Sequence, residues 1–255
     1  MEYIVVALVA FLASLLTFFS GFGLGTLLTP VFVLFFPIEI AIAGTGLVHF
    51  SNNMFKIILV GKNVSKDVVI RFGIPGMVGA AIGAYLLIHL TSFDVIYQNS
   101  ISSIPIEVKP VNLVIGIVLI AFAIKDLGGT KGDGINKKWL PLGGLLSGFF
   151  GGLSGHQGAL RTAFLAQLNL TKEAFIASGI AIACLVDLTR IPFYFKNITG
   201  LDSIPKTLFV IATLAAFAGA LFGKYFLKKI ALHTVHQIVA IAIILIALAM
   251  ILGLV

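Results

Sequence analysis

The chain of 255 residues is 59% hydrophobic and only 11% charged, with a formal net charge of +7. A soluble domain carries about 25% charged residues, and too few polar residues remain here to cover a soluble surface, so lipid must solvate most of this protein. The basic balance does not indicate nucleic-acid binding, because the chain has no basic stripe with interleaved aromatic residues.

Ten hydrophobic segments follow one another along the chain. The first five lie at 3–20, 22–36, 39–60, 67–90 and 111–127. After a polar loop, the other five lie at 139–152, 155–169, 172–195, 203–223 and 233–254. Crossing the hydrocarbon takes about 20 helical residues, and three of these segments are short for that, namely 22–36, 139–152 and 155–169. We therefore predict an all-α integral membrane protein in which some segments are short or re-entrant.

The two halves of the chain are similar at a constant offset. Residues 41–46 (AIAGTG) align with residues 174–179 (AFIASG), and the same offset pairs Gly25 with Gly158. Because each half holds an odd number of segments, the halves would insert with opposite topology, as the inverted repeats of secondary transporters do. The predicted domains are a first membrane repeat at 1–127, a cytoplasmic linker at 128–138 and a second membrane repeat at 139–255.

The basic residues indicate the orientation. If the ten segments alternate sides, the loops on one side of the membrane receive most of the lysines, whereas the other side receives only Lys109, Arg190, Lys196 and Lys206. The positive-inside rule makes the lysine-rich side cytoplasmic. We therefore expect a multi-pass protein of the cell membrane, inner or plasma, with both termini outside.

Two glycine-rich stretches interrupt the hydrophobic segments at matching places. The first is SGFGLG at 20–25, and the second is SGFFGGLSGHQG at 147–158. Each opens a helix, so free N–H groups and the positive end of the helix dipole would favour an anion. Close helix packing through small residues is the alternative interpretation. We expect Gly23, Gly25, His156 and Gln157 to contact a bound anion.

Charged residues inside the second half strengthen the anion hypothesis. Arg161 lies six residues into segment 155–169, where a charge costs at least ~2.5–3.5 kcal/mol, and its planar fork suits an oxyanion. We expect it to be the strongest electrostatic anchor, and a structural ion pair with Asp187 is the alternative. Asp187 and Arg190 stand three residues apart on one helix, where they would neutralise each other, although Arg190 could instead form the outer lip of an anion path.

Segment 39–60 carries the polar residues of the first half. Thr45, its repeat mate Ser178, Asn52 and Asn53 could donate hydrogen bonds to a substrate, or they could join neighbouring helices. His49, with Asp187 and Arg190, is a candidate proton relay or gate, because an imidazole titrates near neutral pH. We expect Lys56 to snorkel to the cytoplasmic interface.

Catalytic and metal sites are not indicated. The sequence has no H-E-x-x-H, no G-x-S-x-G and no Cys–His pairing. Cys184, its one cysteine, cannot build a zinc site alone. The scarcity of carboxylates inside the segments argues against a metal-cation path. We therefore expect neither an enzyme nor a cofactor, and partners limited to a small anion and the lipid bilayer, with a homo-oligomer left open.

Taken together, these motifs resemble the sulfite exporter TauE/SafE family of anion permeases. The resemblance rests on Gly21-Phe22-Gly23-Leu24-Gly25 with Pro30 downstream, on Ala43-Gly44-Thr45, and on the stretch from Leu146 to Gly155. It implies export of sulfite or a related sulfur-containing anion such as a sulfonate, by alternating access. His156-Gln157 departs from a plain glycine-rich turn. The alternatives are an anion channel or a carrier of another small solute.

Overall fold

Ten helices lie in the part of the chain that the computed structural model describes, which is residues 2–18, 24–101, 104–128, 137–198, 200, 205–226 and 232–254. They follow the ten predicted segments in order. Their bounds are α1 Glu2–Leu16, α2 Leu24–Val33, α3 Ile38–Val60, α4 Lys66–Thr91, α5 Pro110–Gly128, α6 Leu140–Ser154, α7 Gly158–Leu165, α8 Lys172–Asn197, α9 Lys206–Phe226 and α10 Leu232–Ile251. A largely helical architecture is therefore confirmed.

The outer surface of the bundle is apolar. Among the described helices, α4, α8 and α9 are long and apolar enough to cross a membrane. Large hydrophobic side chains point away from the interior, and Ile4, Ile58 and Leu245 are 75%, 80% and 62% exposed. In water this would be an unfavourable surface, whereas in a bilayer the same side chains meet a solvent as apolar as themselves.

The predicted short segments form short helices that turn back beside long ones. Helix α2 has 10 residues and α7 has 8. At 1.5 Å per residue they extend about 15 and 12 Å, roughly half of the hydrocarbon thickness. Gly155 follows the last residue of α6 and has a φ of 80°, in the left-handed region that glycine adopts without steric cost. This glycine lets the chain reverse from α6 into α7.

Glycines bring helices from the two halves into backbone contact. Gly148 on α6 faces the carbonyl of Gly76 on α4, and Gly79 faces the carbonyl of Leu145 in the same interface. On the other side of the bundle, Gly219 of α9 faces the backbone of Phe11 in α1. Without a hydrophobic driving force between helices in lipid, such close packing holds the bundle together. Part of the second glycine-rich stretch therefore serves helix packing, as the alternative interpretation proposed.

A β-hairpin in the connection between α4 and α5 was not predicted. Strand β1, Tyr97–Ile101, pairs antiparallel with β2, Ile104–Val108. The Glu107 amide also donates to the carbonyl of Gly253 after α10, at 3.0 Å. The all-α prediction is wrong for this connection, because a loop beyond the helix ends satisfies its backbone groups by pairing its own two arms.

Candidate functional site

Buried polar side chains gather where α3 and α8 pack together beside the starts of α2 and α7. The group comes from three parts of the chain, and each member is less than a tenth exposed. Its members are Thr45, His49 and Asn53 on α3, His156, Gln157 and Arg161 at the α6–α7 break, and Asp187 and Arg190 on α8. All of these residues were named from the sequence, either as substrate contacts or as candidates for a proton relay or gate, and the structure brings them together.

Asp187 is the centre of this network. Its Oδ2 lies 2.6 Å from His49 Nδ1, and its Oδ1 accepts from Gln157 Nε2 at 3.0 Å and from Arg190 Nε at 2.9 Å. The amide nitrogen of Asn53 lies 3.2 Å from Nε2 of the His49 ring. The carboxylate is therefore held by side chains from α3, the α6–α7 break and α8 at once.

Arg190 forms the predicted ion pair with Asp187. Its Nη2 lies 2.9 Å from Asp187 Oδ1, and its Nη1 donates to the carbonyl of Gly151 at 2.8 Å. The Nη2 contact is a charge contact without hydrogen-bond alignment, so Nη2 has no hydrogen-bond partner among the described residues. The guanidinium is fully buried, and a methyl group at Gly46 would lie 3.3 Å from Nη2. Glycine at this position leaves room for the arginine beside α3.

Arg161 joins the same network through a neutral residue. Its Nη1 donates to Gln157 Oε1 at 3.2 Å, and Gln157 in turn donates to Asp187. The side chain is 3% exposed. A Cβ at Gly179 would lie 3.6 Å from Arg161 Nε. Arg190 therefore faces Gly46, which follows Thr45, and Arg161 faces Gly179, which follows the repeat mate Ser178.

The two helix breaks touch each other. A Cβ at Gly25, in the first turn of α2, would lie 3.2 Å from the carbonyl oxygen of Gly155 and 3.9 Å from the His49 ring. A Cβ at Gly155 would lie 3.5 Å from Thr29 Oγ1 and 3.6 Å from Arg190 Nη1. The breaks from the two halves thus meet beside the buried network. Gly23, which was also expected there, lies outside the described residues.

Polar atoms without partners surround this contact. Thr29 Oγ1, Thr45 Oγ1, His156 Nε2 and Arg190 Nη2 are buried and have no hydrogen-bond partner within the described ranges. His156 Nδ1 donates to the carbonyl of Ser154 at 2.7 Å, which leaves Nε2 facing the interior. Leaving a buried polar group unsatisfied costs about 1–3 kcal/mol, so such a group of atoms is a reasonable place for a polar ligand. Thr29 was not predicted from the sequence, although it lies one helical turn after Gly25 and thus on the same face of α2.

Two predicted contacts lie apart from this group. Ser178 Oγ accepts from the amide of Ser65 at 2.9 Å, in the connection between α3 and α4. Asn52 faces α1 and α9, where the Ser14 hydroxyl lies 3.1 Å from its amide. Thr45 and Ser178 are therefore not equivalent in their surroundings.

Lys56 does not reach the interface. It is 4% exposed, and its Nζ lies over the Phe18 ring, 5.7 Å from the centroid. With the Asn52 amide turned so that its nitrogen donates to the carbonyl of Ala216 at 3.2 Å, the Asn52 oxygen accepts from Lys56 Nζ at 3.1 Å. The snorkelling prediction is wrong because α1 and α9 cover this face of α3.

Buried charge in the described interior is unbalanced. The buried charged side chains there are Lys56, Arg161 and Arg190 against the carboxylate of Asp187. The described residues contain no group of three His, Cys, Asp or Glu side chains that could hold a metal ion. The arrangement is suited to an anion rather than to a cation.

Comparison with known proteins gives one result. The sequence profile described as "Sulfite exporter TauE/SafE" matches residues 6–250, essentially the whole chain. No curated protein and no solved structure matches the chain.

Proposed function

The chain belongs to the sulfite exporter TauE/SafE family, and from this membership we propose that it exports a small oxyanion across the cell membrane. The substrate we propose is sulfite or a related sulfur-containing anion such as a sulfonate. The mechanism is alternating access of two inverted repeats, 1–127 and 139–255, joined by the linker 128–138 on the cytoplasmic side.

The observation that carries the proposal is the surplus of buried positive charge beside the contact of the two helix breaks. Arg161 and Arg190, each 3% exposed or less, bring two positive charges to the described network, and Asp187 brings one negative charge. A buried charge is strongly unfavourable unless it is paired. A bound oxyanion would supply negative charge, and a guanidinium binds its oxygens with charge-assisted hydrogen bonds.

The unpartnered atoms supply the rest of an oxyanion site. The hydroxyls of Thr29 and Thr45 and Nη2 of Arg190 are hydrogen-bond donors without acceptors among the described residues. Gly25 and Gly155 let the two helix breaks approach each other closely, because neither carries a side chain. We propose that the anion lies here, with Gln157 and Asn53 positioning Arg161 and His49.

Helix pairing supports the inverted repeats. Helix α1 of the first half packs mainly against α9 of the second, and α6 of the second half packs mainly against α4 of the first. The equivalent helices α3 and α8 pack on each other, and so do α5 and α10. Such an exchange of partners is what a two-fold relation between the halves requires. In secondary transporters the substrate lies at the repeat interface, next to discontinuous helices.

Transport of a defined substrate tests the proposal. Purified protein is reconstituted in liposomes loaded with sulfite, sulfate, thiosulfate or methanesulfonate, and efflux is measured against internal concentration. We expect saturable efflux of sulfite or methanesulfonate. Efflux that rises linearly with concentration would favour the anion channel, and no efflux of any of the four anions would contradict the proposal.

A second measurement tests binding without flux. A ligand that binds only the folded state stabilises it by RT ln(1 + [L]/Kd). We expect the same anions that are transported to raise the unfolding temperature of the detergent-solubilised protein. A neutral solute that raises it in their place would favour a carrier of another small solute.

A further inference from the structure

A second polar region lies between the candidate site and the lysine-rich end of the bundle. A cavity of about 440 Å³ opens at the ends of α3, α8 and α9. Its walls include Phe18, Val60, Asn63, Lys172, Glu173 and Lys224. The basic residues at its rim belong to the side that we propose is cytoplasmic.

Lys56 lies directly behind one wall of this cavity. Phe18 lines the cavity and also lies under the Lys56 ammonium, 5.7 Å from the ring centroid. The lysine is 4% exposed. Its contacts are the Phe18 ring and, with the Asn52 amide turned as described above, Asn52 Oδ1 at 3.1 Å, and both groups are neutral. No carboxylate of the described residues forms an ion pair with it. A buried ammonium held only by neutral groups is suited to a transient anionic partner.

Helix α3 connects Lys56 to the candidate site. Val60 at the cavity, Lys56, Asn53, His49 and Thr45 follow at intervals of three or four residues. Residues so spaced lie on neighbouring turns of one helix face. From Lys56 to Thr45 the rise is about 16 Å at 1.5 Å per residue.

We propose that Lys56 and Asn52 form a second anion-binding site, entered from the 440 Å³ cavity, and that the Phe18 ring is the gate between the cavity and this site. The inference rests on the proposed anion transport and adds a residue that receives the substrate before it reaches the helix breaks. The ligand is a small oxyanion. When it binds, the Lys56 ammonium gives up its contact with the Phe18 ring and donates a charge-assisted hydrogen bond to the anion. Rotation of Phe18 opens the route, and its return covers the lysine again.

Flux measurements test the lysine. In liposomes with sulfite supplied from the cavity side, Lys56→Gln should raise the KM about tenfold, since it removes one charge-assisted contact. Lys56→Arg should keep most of the wild-type KM. Lys66→Gln is the matched control, because Lys66 is an exposed lysine at the same end of the bundle, and it should leave the KM unchanged. If Lys56→Gln keeps the wild-type KM for sulfite supplied from the cavity side, the proposed second anion-binding site is wrong.

Thiol labelling tests the gate without requiring transport. In a Cys184→Ala background, Ser14→Cys places a thiol where the serine hydroxyl lies 3.1 Å from the Asn52 amide, whose oxygen accepts from Lys56. Phe18→Ala, and also the milder Phe18→Leu, should speed its modification by the anionic reagent 2-sulfonatoethyl methanethiosulfonate added from the cavity side. Lys56→Gln should remove the preference for this reagent over its trimethylammonium analogue.

The outcomes separate the two proposals. If no anion is transported but the labelling responds as expected, the proposed export is wrong and the anion site behind Phe18 stands. If sulfite is transported and neither Phe18→Leu nor Phe18→Ala changes the labelling rate, the gate is wrong and export stands. If the anionic and cationic reagents label the Ser14→Cys thiol equally in the protein that keeps Lys56, the proposed anion site is wrong.

Discussion

Asp187 accepts hydrogen bonds from several side chains, and this distinguishes the two buried arginines. Arg190 contacts the carboxylate at 2.9 Å and also donates to a backbone carbonyl, whereas Arg161 donates to the neutral Gln157. Removing one member of a buried ion pair costs about 3–5 kcal/mol, because the other charge remains buried without a partner. Because the carboxylate and a backbone carbonyl both hold Arg190, we assign it a primarily structural role. We propose Arg161, in the first turn of α7, as the arginine that a substrate contacts.

The first prediction follows from this difference. Arg161→Gln should weaken binding of sulfite about tenfold or more, because a charge-assisted hydrogen bond is lost, while the protein still folds. The readout is the anion-induced shift in unfolding temperature of the purified protein. Arg190→Gln is the matched comparison, and it should lower the unfolding temperature even without anion. Normal sulfite binding by Arg161→Gln would make Arg161 structural and leave recognition to the helix breaks.

At the scale of the elements, glycine positions decide how closely α4 and α6 approach. A Cβ on Gly148 would overlap the carbonyl of Gly76, whereas a Cβ on Gly76 would lie 3.4 Å from the carbonyl of Gly144, an ordinary van der Waals distance. The same interface therefore contains one position that excludes a methyl group and one that accepts it. Helix association in lipid depends on such close packing.

The second prediction uses this pair of glycines. Gly148→Ala should destabilise the protein by about 1–3 kcal/mol, the usual cost of overpacking a tight interface. Gly76→Ala, the matched control, should change stability little. Thermal unfolding in detergent compares the two variants with the wild type. Equal unfolding temperatures for all three would mean that α4 and α6 are not in backbone contact.

At the scale of the whole molecule, the third prediction tests the proposed orientation in the membrane. Ten segments and one-sided lysines favour a linker 128–138 inside and both termini outside. Reporter fusions at residue 133 and at the C-terminus should therefore report opposite sides. If both reporters lie on one side, the inverted repeats are wrong. Five segments separate residue 133 from the C-terminus, and an odd number of crossings must place the two points on opposite sides.

The fourth prediction concerns the driving force. An anion leaving a cell that is negative inside releases ~2.3 kcal/mol per charge per 100 mV. The sequence has no G-x-x-x-x-G-K-[ST], so ATP is not expected to power export. An imposed potential, negative inside, should accelerate sulfite efflux from liposomes at equal pH on both sides.

Proton coupling is the rival to this mechanism, with His49 and His156 as the candidate carriers. If a pH gradient drives efflux and a potential does not, electroneutral coupling replaces potential-driven export. In that case, changing both histidines to Gln should abolish pH-driven flux. Flux that survives the double change would exclude these two residues as the proton carriers.

Sequence patterns predicted most elements because hydrophobicity is local information. The segment boundaries differ from the helices by a few residues, for example 39–60 against Ile38–Val60 and 172–195 against Lys172–Asn197. Most residues of the candidate site were also identified, because a charged or amide side chain inside an apolar segment is unfavourable without a partner or ligand. The paired strands at 97–101 and 104–108 were missed, since five residues in a connection between helices are too few for a clear strand pattern.

The sequence by itself determined that this protein is largely helical, is solvated by lipid, and carries an excess of positive charge inside its segments. Its family also follows from the sequence, because the glycine-rich motifs and the profile match span nearly the whole chain. These properties depend on which residues are present and on their spacing, and both are visible along a single chain.

Only the tertiary structure decided which of these residues meet. Asp187 pairs with Arg190, Lys56 is covered by α1 and α9 instead of reaching the interface, and Thr29 enters the group around Gly155. The contact of His49 with Asp187 joins residues 138 positions apart in the chain. The physical reason is that side-chain pairing depends on distances across helix interfaces, and these are set by the packing of the whole bundle.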